Sequence, residues 1–409
     1  MVTAFMVAGI SGAVGVGFSE VMVGPHVWSR EGRGEVSPVA RREGDGSASP
    51  ADMWGGRGEG DARRFEVPHY GALVSASPTS PSPGGVLSVA GVEAARAWIA
   101  DALDLPEAAL EVEVVRRRAW GDIWRVEAGA RFWFKAPHPR LAREVPLRER
   151  LQVRAPGAVV PLVAAHRDRG WQLTEDAGPT LAVRARDDAG MPRPDVGPGL
   201  YGNLARALGA VQQEVSAEDL ARLGLAEFDP MRAVETFERE AAPFRALPAD
   251  HPTHCNAEAH RGATTTLAGL VRRWEEAVGT GLPLGLDHND AHGGNAFVRD
   301  GRVVLSDWGD AVIGHPFASL RALLVPLRNT FGAEVVPAVR RAYLEAVGAG
   351  SPPSAQEETL LDLAMMLAVP TRLSAWGTLQ DEDAWAEHGD WIATLWWEAE
   401  TPIGEVTVP

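Results

Sequence analysis

One polar segment, "LDHNDAHGGNAFVRDGRVVLSDWGDA" (residues 286–311), constrains the fold of this chain more than any other feature. Asp300 and Gly301 form a typical two-residue hairpin turn between the apolar runs "NAFVR" and "RVVLSD". Pairing outward from this turn predicts the partners Arg299 with Arg302, Val298 with Val303, and Ala296 with Leu305. The segment therefore predicts a short β-hairpin whose open end is flanked by polar side chains.

The residues at this open end are suited to phosphoryl transfer. Asn295 and Asp307 flank the two strands, and Asp290 lies on a loop that can return to the same end. An amide oxygen and a carboxylate are hard ligands that suit Mg²⁺, and a further carboxylate can accept the proton of an attacking hydroxyl. These residues could instead be ordinary solvated loop residues. The spacing His-x-Asp-x₄-Asn followed by Asp-Trp-Gly favours the catalytic interpretation.

The same residues resemble a known family. His288, Asp290, Asn295 and Asp307 are similar to the catalytic loop and the metal-binding aspartate of aminoglycoside phosphotransferase-like proteins, a family with a protein-kinase-like fold that includes choline kinases. The resemblance runs from about Glu111 to Trp397. It implies that Asp290 is the catalytic base, that Asn295 and Asp307 bind Mg²⁺, and that His288 braces the loop.

The chain departs from the family pattern at three positions near this loop. Asn289 stands where glycine is usual, and His315 and Ser319 stand where acidic residues are common. Because of these departures, the sequence does not decide which residues brace the catalytic loop.

The rest of the chain predicts a small sheet followed by a larger helical region. A helical pattern at residues 91–105 precedes "LEVEVVRRRAWGDIWRVEAGARFWFKAP", which alternates in three bursts and predicts a three-stranded antiparallel meander. From near Thr180 helical patterns dominate, and we expect only the hairpin to interrupt them. The fold class is therefore α+β, a two-lobed protein-kinase-like fold with a small antiparallel-sheet N-lobe and a larger, mostly helical C-lobe.

Composition changes along the chain predict its domains. Residues 1–88 are rich in Gly, Ser and Pro and predict a mostly disordered leader and linker. We expect a nucleotide-binding N-lobe at 89–176, a C-lobe with the catalytic loop and substrate site at 177–400, and a tail at 401–409. The apolar residues 1–18 lack a preceding basic region, so we expect neither an export signal nor a membrane anchor there.

Lys135 is the only lysine among 39 basic residues, and it lies on the last strand of the meander. A compact ammonium suits contact with phosphate oxygens, and the family resemblance implies that Lys135 meets the phosphates of ATP. Its acidic partner could be Glu144 or Glu149, of which the resemblance favours Glu144. Thr174 and Glu175, in "LTEDAG", resemble the segment between the lobes, whose backbone would meet the adenine.

Charge and cysteine content limit the possible partners and compartment. The net charge of −16 argues against a general nucleic-acid binder, and the single cysteine fits a reducing compartment, so we expect a cytoplasmic protein. The predicted activity is transfer of the γ-phosphate of ATP, with Mg²⁺, to a hydroxyl of a small acceptor that could be cationic. The identity of the acceptor and the choice between ATP and GTP stay open.

Two other functions remain as alternatives. The chain could be a non-catalytic kinase-like module that binds nucleotide, or a metal-dependent hydrolase in which His288, Asp290 and His292 bind a transition metal. The acidic, tryptophan-rich segment "LQDEDAWAEHGDW" (residues 379–391) could hold a cationic acceptor through cation–π contacts. Helical spacing favours the simpler interpretation that Trp391 and Trp396 belong to a helical core and that the acidic residues form a solvated face.

Overall fold

A computed structural model describes residues 86–278, 283–348 and 354–400. The predicted leader, apart from its last three residues, and the predicted tail at 401–409 lie outside the described residues. Within the part that the structure describes, no helix combines the length and apolar character needed to span a bilayer.

The N-terminal part is a five-stranded antiparallel sheet covered by a helix. Helix α1 (Val89–Leu103) begins after Ser88, whose side chain caps the first turn. The sheet has the order β1-β2-β3-β5-β4. Its strands are β1 (Glu111–Arg118), β2 (Gly121–Glu127), β3 (Arg131–Pro137), β4 (Leu162–His166) and β5 (Trp171–Glu175), and α2 (Glu144–Arg154) lies between β3 and β4. The predicted meander is confirmed by the pairing of β1 with β2 and of β2 with β3.

The C-terminal part is mostly helical. Its helices are α3 (Leu181–Arg184), α4 (Gly197–Gln213), α5 (Ala217–Arg222), α6 (Ala233–Arg245), α7 (Ala257–Val278), α8 (Leu320–Phe331), α9 (Val336–Ala346), α10 (Ala355–Leu367), α11 (Val369–Leu379), α12 (Glu382–Glu387) and α13 (Gly389–Glu400). One apolar core centres on α4, α8 and α9, and a second on α6, α7, α11 and α13. Leu147 and Leu151 of α2 pack into the first of these cores, so α2 links the sheet to the helical part.

The polar segment at residues 286–311, called the catalytic segment below for its predicted role, contains the hairpin with the predicted register. Strands β7 (Ala296–Arg299) and β8 (Arg302–Leu305) pair Arg299 with Arg302, and the pairing continues outward as predicted. Asp300 has a φ of 49° and Gly301 of 75°, the left-handed values that this turn type requires. Because the turn chemistry is local, the sequence alone was sufficient to predict the register.

The prediction that only this hairpin interrupts the helices was wrong. Strands β6 (Gly285–Asp287) and β9 (Val312–Gly314) form a further antiparallel pair on either side of the catalytic segment. Each strand has three residues, all of them buried, so neither shows the alternation of buried and exposed residues by which a strand is recognised. The pair holds together the two ends of the segment that contains the polar residues. The predicted α+β, two-lobed architecture itself is confirmed.

The turn between β1 and β2 contacts the last helices of the chain. The ring of Trp120, in this turn, lies 5.8 Å from that of Trp376 on α11 and 4.8 Å from that of His388, between α12 and α13. Arg118 also forms a 3.3 Å ion pair with Glu387. The turn between β1 and β2 is therefore attached to the helical part.

The tryptophans of the late acidic segment divide between core and surface. Trp385 and Trp396 are buried in the second helical core. Trp391 is 38% exposed and stacks on His388. The interpretation as helical core is therefore confirmed for Trp396 and wrong for the exposed Trp391.

Candidate active site

Lys135 joins three elements that are distant in sequence. From β3, its Nζ lies 2.6 Å from Glu144 Oε2 on α2 and 2.6 Å from Asp307 Oδ1, just after β8. Burial alone would lower the pKa of Lys135, but Asp307 and Glu144 outweigh this effect and raise the pKa above its usual range. The lysine is therefore a fixed positive charge between the sheet and the catalytic segment.

Glu144, and not Glu149, is the acidic partner of Lys135. The second carboxylate oxygen of Glu144, Oε1, accepts a hydrogen bond of 2.9 Å from the backbone N–H of Trp308. Glu149 instead forms a surface pair with Arg167. The buried carboxylate of Glu144 thus connects the lysine to the segment that follows Asp307.

Asp290 and Asn295 are in direct contact, as expected from the loop. The Asn295 side-chain amide donates to the Asp290 carboxylate oxygen Oδ2 at 2.9 Å and to the Asp290 carbonyl at 3.0 Å. The backbone N–H of Ser306 donates to the Asn295 carbonyl at 2.9 Å, which extends the hairpin ladder to the residue before Asp307. Because the amide nitrogen of Asn295 is used as a donor, its amide oxygen is the atom that can face a cation.

His288 is held as a neutral ring that supports the loop. Its Nε2 lies 3.1 Å from the carbonyl of Ser306, and its Nδ1 accepts from the backbone N–H of Asp290 at 3.4 Å. Burial lowers the pKa of His288, and this outweighs the neighbouring aspartates. Both ring nitrogens contact the backbone, so the geometry agrees with a brace and gives no support to transition-metal ligation.

Ser319, which stands where an acidic residue is common in the similar family, contacts Asp287 and braces the catalytic loop. Ser319 Oγ donates to Asp287 Oδ1 at 2.7 Å and accepts from the backbone N–H of His288 at 2.9 Å. Gln212 of α4 donates to the same hydroxyl at 3.1 Å. Burial raises the pKa of Asp287 to about 6, against the hydrogen bonds that it accepts from Ser319 and the backbone of Asn289. A serine hydroxyl therefore joins α8, α4 and the start of the loop.

Asn289, which stands where glycine is usual, has a left-handed backbone with a φ of 60°. Asparagine tolerates this region better than most residues other than glycine. Its side-chain amide also lies within 3.4 Å of the carbonyl of Thr371 on α11. The substitution therefore keeps the backbone turn and adds a contact to the helical part.

We expect Ser319→Ala to destabilise the protein. The change leaves the Asp287 carboxylate, the His288 N–H and the Gln212 amide without one hydrogen bond each in a buried site, which should cost about 1–3 kcal/mol of unfolding free energy. Chemical denaturation followed by circular dichroism measures this loss. Thr394→Ala, which removes an exposed hydroxyl from α13, is the control and should change stability little. A Ser319→Ala protein as stable as the control would contradict the bracing role.

Arg372 and Asp310 belong to the same cluster but were missed in the sequence. Arg372 of α11 lies 2.7 Å from Asp290 Oδ1 and 2.7 Å from Asp310 Oδ2. The sequence contains one indication of Arg372, which is a charged residue inside the apolar run "MLAVPTRLSAW". This pattern does not predict which residues Arg372 contacts. Asp310, close after Asp307 in sequence, looked like an ordinary polar loop residue.

The three carboxylates of the cluster have different pKa shifts. Burial disfavours ionisation of Asp290 and Asp307, but Arg372 and His292 near Asp290, and Lys135 near Asp307, lower both pKa values below the usual range. For Asp310, burial is the largest effect and raises the pKa to about 6. Asp290 and Asp307 also raise this pKa, and Arg372 opposes them. Asp290 and Asp307 are therefore ionised at neutral pH.

Thr174 and Glu175 lie at the end of β5, on the connection between the two lobes. Thr174 is two residues along β5 from Gln172, the cross-strand partner of Lys135. The backbone N–H of Glu175 donates to the carbonyl of Pro161, and its carboxylate pairs with Arg299 at 2.5 Å. These residues are thus beside the lysine cluster but not in contact with it.

Asn295 and Asp307 provide a donor set that fits Mg²⁺. An amide oxygen and an ionised carboxylate at the open end of the hairpin are the hard ligands that Mg²⁺ prefers, usually together with water and substrate phosphates. Across the described ranges, no group of three or more His, Cys, Asp or Glu side chains has the geometry of a metal centre. Two protein ligands would leave the other positions of an octahedral ion to further ligands.

A cavity of about 380 Å³ borders the lysine cluster. It lies between α2, residues 308–312, α6 and α11. A Cβ on Gly309, which lines the cavity, would lie 3.8 Å from Lys135 Nζ. The charged residues of the wall are Arg143, Glu144, Glu227, Arg239, Glu240 and Asp310. The volume falls within the range of roughly 300–1,000 Å³ that is usual for small-molecule sites.

Solved structures of similar fold are kinases of small molecules. An ethanolamine kinase from Plasmodium vivax superposes with a TM-score of 0.55 at 11% identity, covering 78% of this chain and 91% of that chain. A choline kinase from Cryptosporidium parvum gives a TM-score of 0.54 at 12% identity, covering 78% and 98%. At these identities the likeness shows the fold alone, which confirms the predicted kinase-like architecture.

Sequence comparison identifies the family. No curated protein sequence is significantly similar to the chain. The family model described as the phosphotransferase enzyme family matches residues 112–357, which include the five-stranded sheet, Lys135 and the whole catalytic segment. This match spans more than half of the 409 residues. The chain therefore belongs to the phosphotransferase enzyme family.

Proposed function

We propose that this protein is an ATP-dependent kinase of a small molecule that transfers the γ-phosphate to a hydroxyl group of its acceptor. The observation that carries the proposal is the position of Lys135, whose Nζ contacts both Glu144 and Asp307 at 2.6 Å. A phosphotransferase needs a fixed cation at the nucleotide phosphates and an ionised metal ligand beside it. The only lysine of the chain occupies this position.

Each residue of the cluster has a proposed role. Lys135, oriented by Glu144, binds the nucleotide phosphates. Asn295 and Asp307 would hold Mg²⁺, which when bound neutralises charge on the phosphate oxygens. Asp290 orients the acceptor hydroxyl and accepts its proton. We assign the nucleotide to the N-lobe (89–176) and the acceptor to the C-lobe (177–400).

The adenine is proposed to contact the connection after β5, at Thr174 and Glu175. The backbone N–H of Glu175 is already bonded to the carbonyl of Pro161, so it is not the group that the adenine would meet. We further propose that the protein works in the cytoplasm, where its single cysteine, the buried Cys255, would stay reduced.

The acceptor is proposed to be a small, polar hydroxyl compound. The structures of similar fold include an ethanolamine kinase, a choline kinase and a macrolide 2′-phosphotransferase, which are named for small molecules. In this chain, the cavity beside Gly309 contains the carboxylates of Glu227, Glu240 and Asp310 together with two arginines, Arg143 and Arg239. A polar acceptor with a hydroxyl and a cationic group would match such a wall.

ADP release with a panel of small hydroxyl compounds and MgATP tests this function. We expect at least one compound to stimulate ADP release by the wild-type chain. Lys135→Met keeps the apolar stem and removes the charge, so it should lower turnover by about 10²-fold or more at limiting ATP. Arg131→Met, which removes an exposed cation from the same strand, should remain active. Turnover near the wild-type value in Lys135→Met would disprove the site assignment, and bound ATP without any turnover would favour a non-catalytic module.

A further inference from the structure

Arg372 is a charged residue in an otherwise apolar stretch of the helical lobe. It follows Thr371 on α11, in the sequence "VPTRLSAWGTL", and buried apolar residues of this helix pack into the second helical core. A guanidinium taken out of water must find partners for its donors. In this chain those partners are the polar groups of the catalytic segment.

The guanidinium of Arg372 contacts that segment at three points. Its Nη2 lies 2.7 Å from Asp290 Oδ1, and its Nη1 lies 2.7 Å from Asp310 Oδ2 and 3.2 Å from the carbonyl of Asn289. The planar fork of arginine can meet several acceptors at fixed angles, which the single ammonium of lysine cannot do. Arg372 therefore connects α11 to both ends of the segment, before β7 and after β8.

These contacts restrict the carboxylate of Asp290. Arg372 holds Oδ1, while the amide of Asn295 holds Oδ2 at 2.9 Å. A carboxylate without such partners rotates over a broad range about its terminal torsion. Oδ2 also lies 3.5 Å from His292 Nε2. With Oδ1 paired with Arg372, Oδ2 is therefore the oxygen that faces Asn295 and His292.

We propose that Arg372 is a positioning residue for phosphoryl transfer and that it orients the Asp290 carboxylate toward the acceptor hydroxyl. This inference rests on the proposed function. The loop itself has other supports, since Ser319 and the side-chain contact of Asn289 to Thr371 hold its backbone. Arg372 shares in this support through the carbonyl of Asn289, and its distinct contribution is the orientation and charge balance of the reacting carboxylate.

The same helix also borders the cavity that would take the acceptor. Ser374, Ala375 and Thr378 of α11 line this cavity together with Asp310, the second partner of Arg372. One rigid helix thus forms a wall of the acceptor site and holds the base. In this arrangement α11 connects the wall of the cavity to the Asp290 carboxylate through Arg372.

The test compares Arg372→Gln and Arg372→Lys with a matched control. Arg340 also pairs with two carboxylates, those of Glu358 and Asp362, but it connects α9 to α10. The control Arg340→Gln should therefore leave turnover unaffected. For Arg372→Gln we expect kcat to fall about 10- to 100-fold with unchanged MgATP affinity by calorimetry, because misplacement of a reacting group costs rate rather than nucleotide binding. Arg372→Lys should recover part of the loss.

A double-mutant cycle separates positioning from a purely structural role. If Arg372 acts through the Asp290 carboxylate, then Arg372→Gln should cause little further loss of kcat in an Asp290→Asn background. The inference would be overturned if Arg372→Gln lowered kcat as much in the Asp290→Asn protein as in the wild type. A kcat for Arg372→Gln within twofold of the wild type would overturn it as well. An inactive wild-type chain would instead contradict the proposed function, so the two failures are distinguishable.

Discussion

Asp290→Asn is expected to lower turnover by about 10²- to 10⁴-fold, the usual loss when a general base is removed, while MgATP binding persists. The amide keeps the size of the side chain and can still accept a hydrogen bond from Arg372, but it cannot take the proton of an acceptor hydroxyl. The contacts of Lys135 to Glu144 and Asp307 do not involve Asp290. The nucleotide site should therefore survive the change.

The measurements for Asp290→Asn are kcat with a saturating acceptor and MgATP affinity by calorimetry. Asp362→Asn is a suitable control, because Asp362 also pairs with an arginine, Arg340, at 2.6 Å but lies on α10. Thermal denaturation of both variants measures the loss of stability, and kcat of Asp362→Asn shows whether loss of a partly buried ion pair by itself lowers activity. Turnover of Asp290→Asn within threefold of the wild type would exclude Asp290 as the base.

Local chemistry explains how much of this site the sequence could predict. The hairpin register follows from an Asp-Gly turn and from pairing outward from it, which is visible without tertiary information. Lys135 stood out because no other lysine occurs in the chain. The kinase-like fold was predicted by these motifs together with the order of sheet and helices.

The partner of Lys135 could not be chosen from helical periodicity. Glu144 and Glu149 lie on the same helix, α2, but five residues at about 100° per residue place them on widely different faces. Only one of them can face β3, and periodicity does not say which. The packing of Leu147 and Leu151 against the helical core decides the rotation of α2 and turns Glu144 inward.

The contacts of Arg372 could not be predicted for a different reason. Arg372 and Asp310 are 62 residues apart, and the distance between them is set by the packing of α11 on the catalytic segment. The strands β6 and β9 were missed because their three buried residues carry no periodic signal. Long-range packing thus completes a site whose local parts the sequence defines.

The second large effect is expected for Asp307→Asn, which should raise the Mg²⁺ requirement as well as lower turnover. Asp307 has a φ of 61°, and asparagine tolerates this left-handed conformation, so the backbone of the segment should be preserved. The change removes the negative charge of a proposed Mg²⁺ ligand. Changes to groups that only support ligands typically cost about 10- to 100-fold in metal affinity, so loss of the ligand charge should raise the Mg²⁺ concentration for half-maximal activity at least tenfold.

The design separates this effect from that of Asp290. Asp300→Asn makes the same chemical change at another aspartate with positive φ, in the exposed turn of the same hairpin, and should leave the Mg²⁺ titration unchanged. Asp290→Asn should lower the plateau of that titration without shifting its midpoint, because its carboxylate accepts a proton and does not bind the ion. Asp307→Asn should shift the midpoint, since Lys135 would remain paired with Glu144 but the ion would lose an anionic ligand. If Asp307→Asn kept the wild-type midpoint while Asp290→Asn shifted it, the two roles would be reversed.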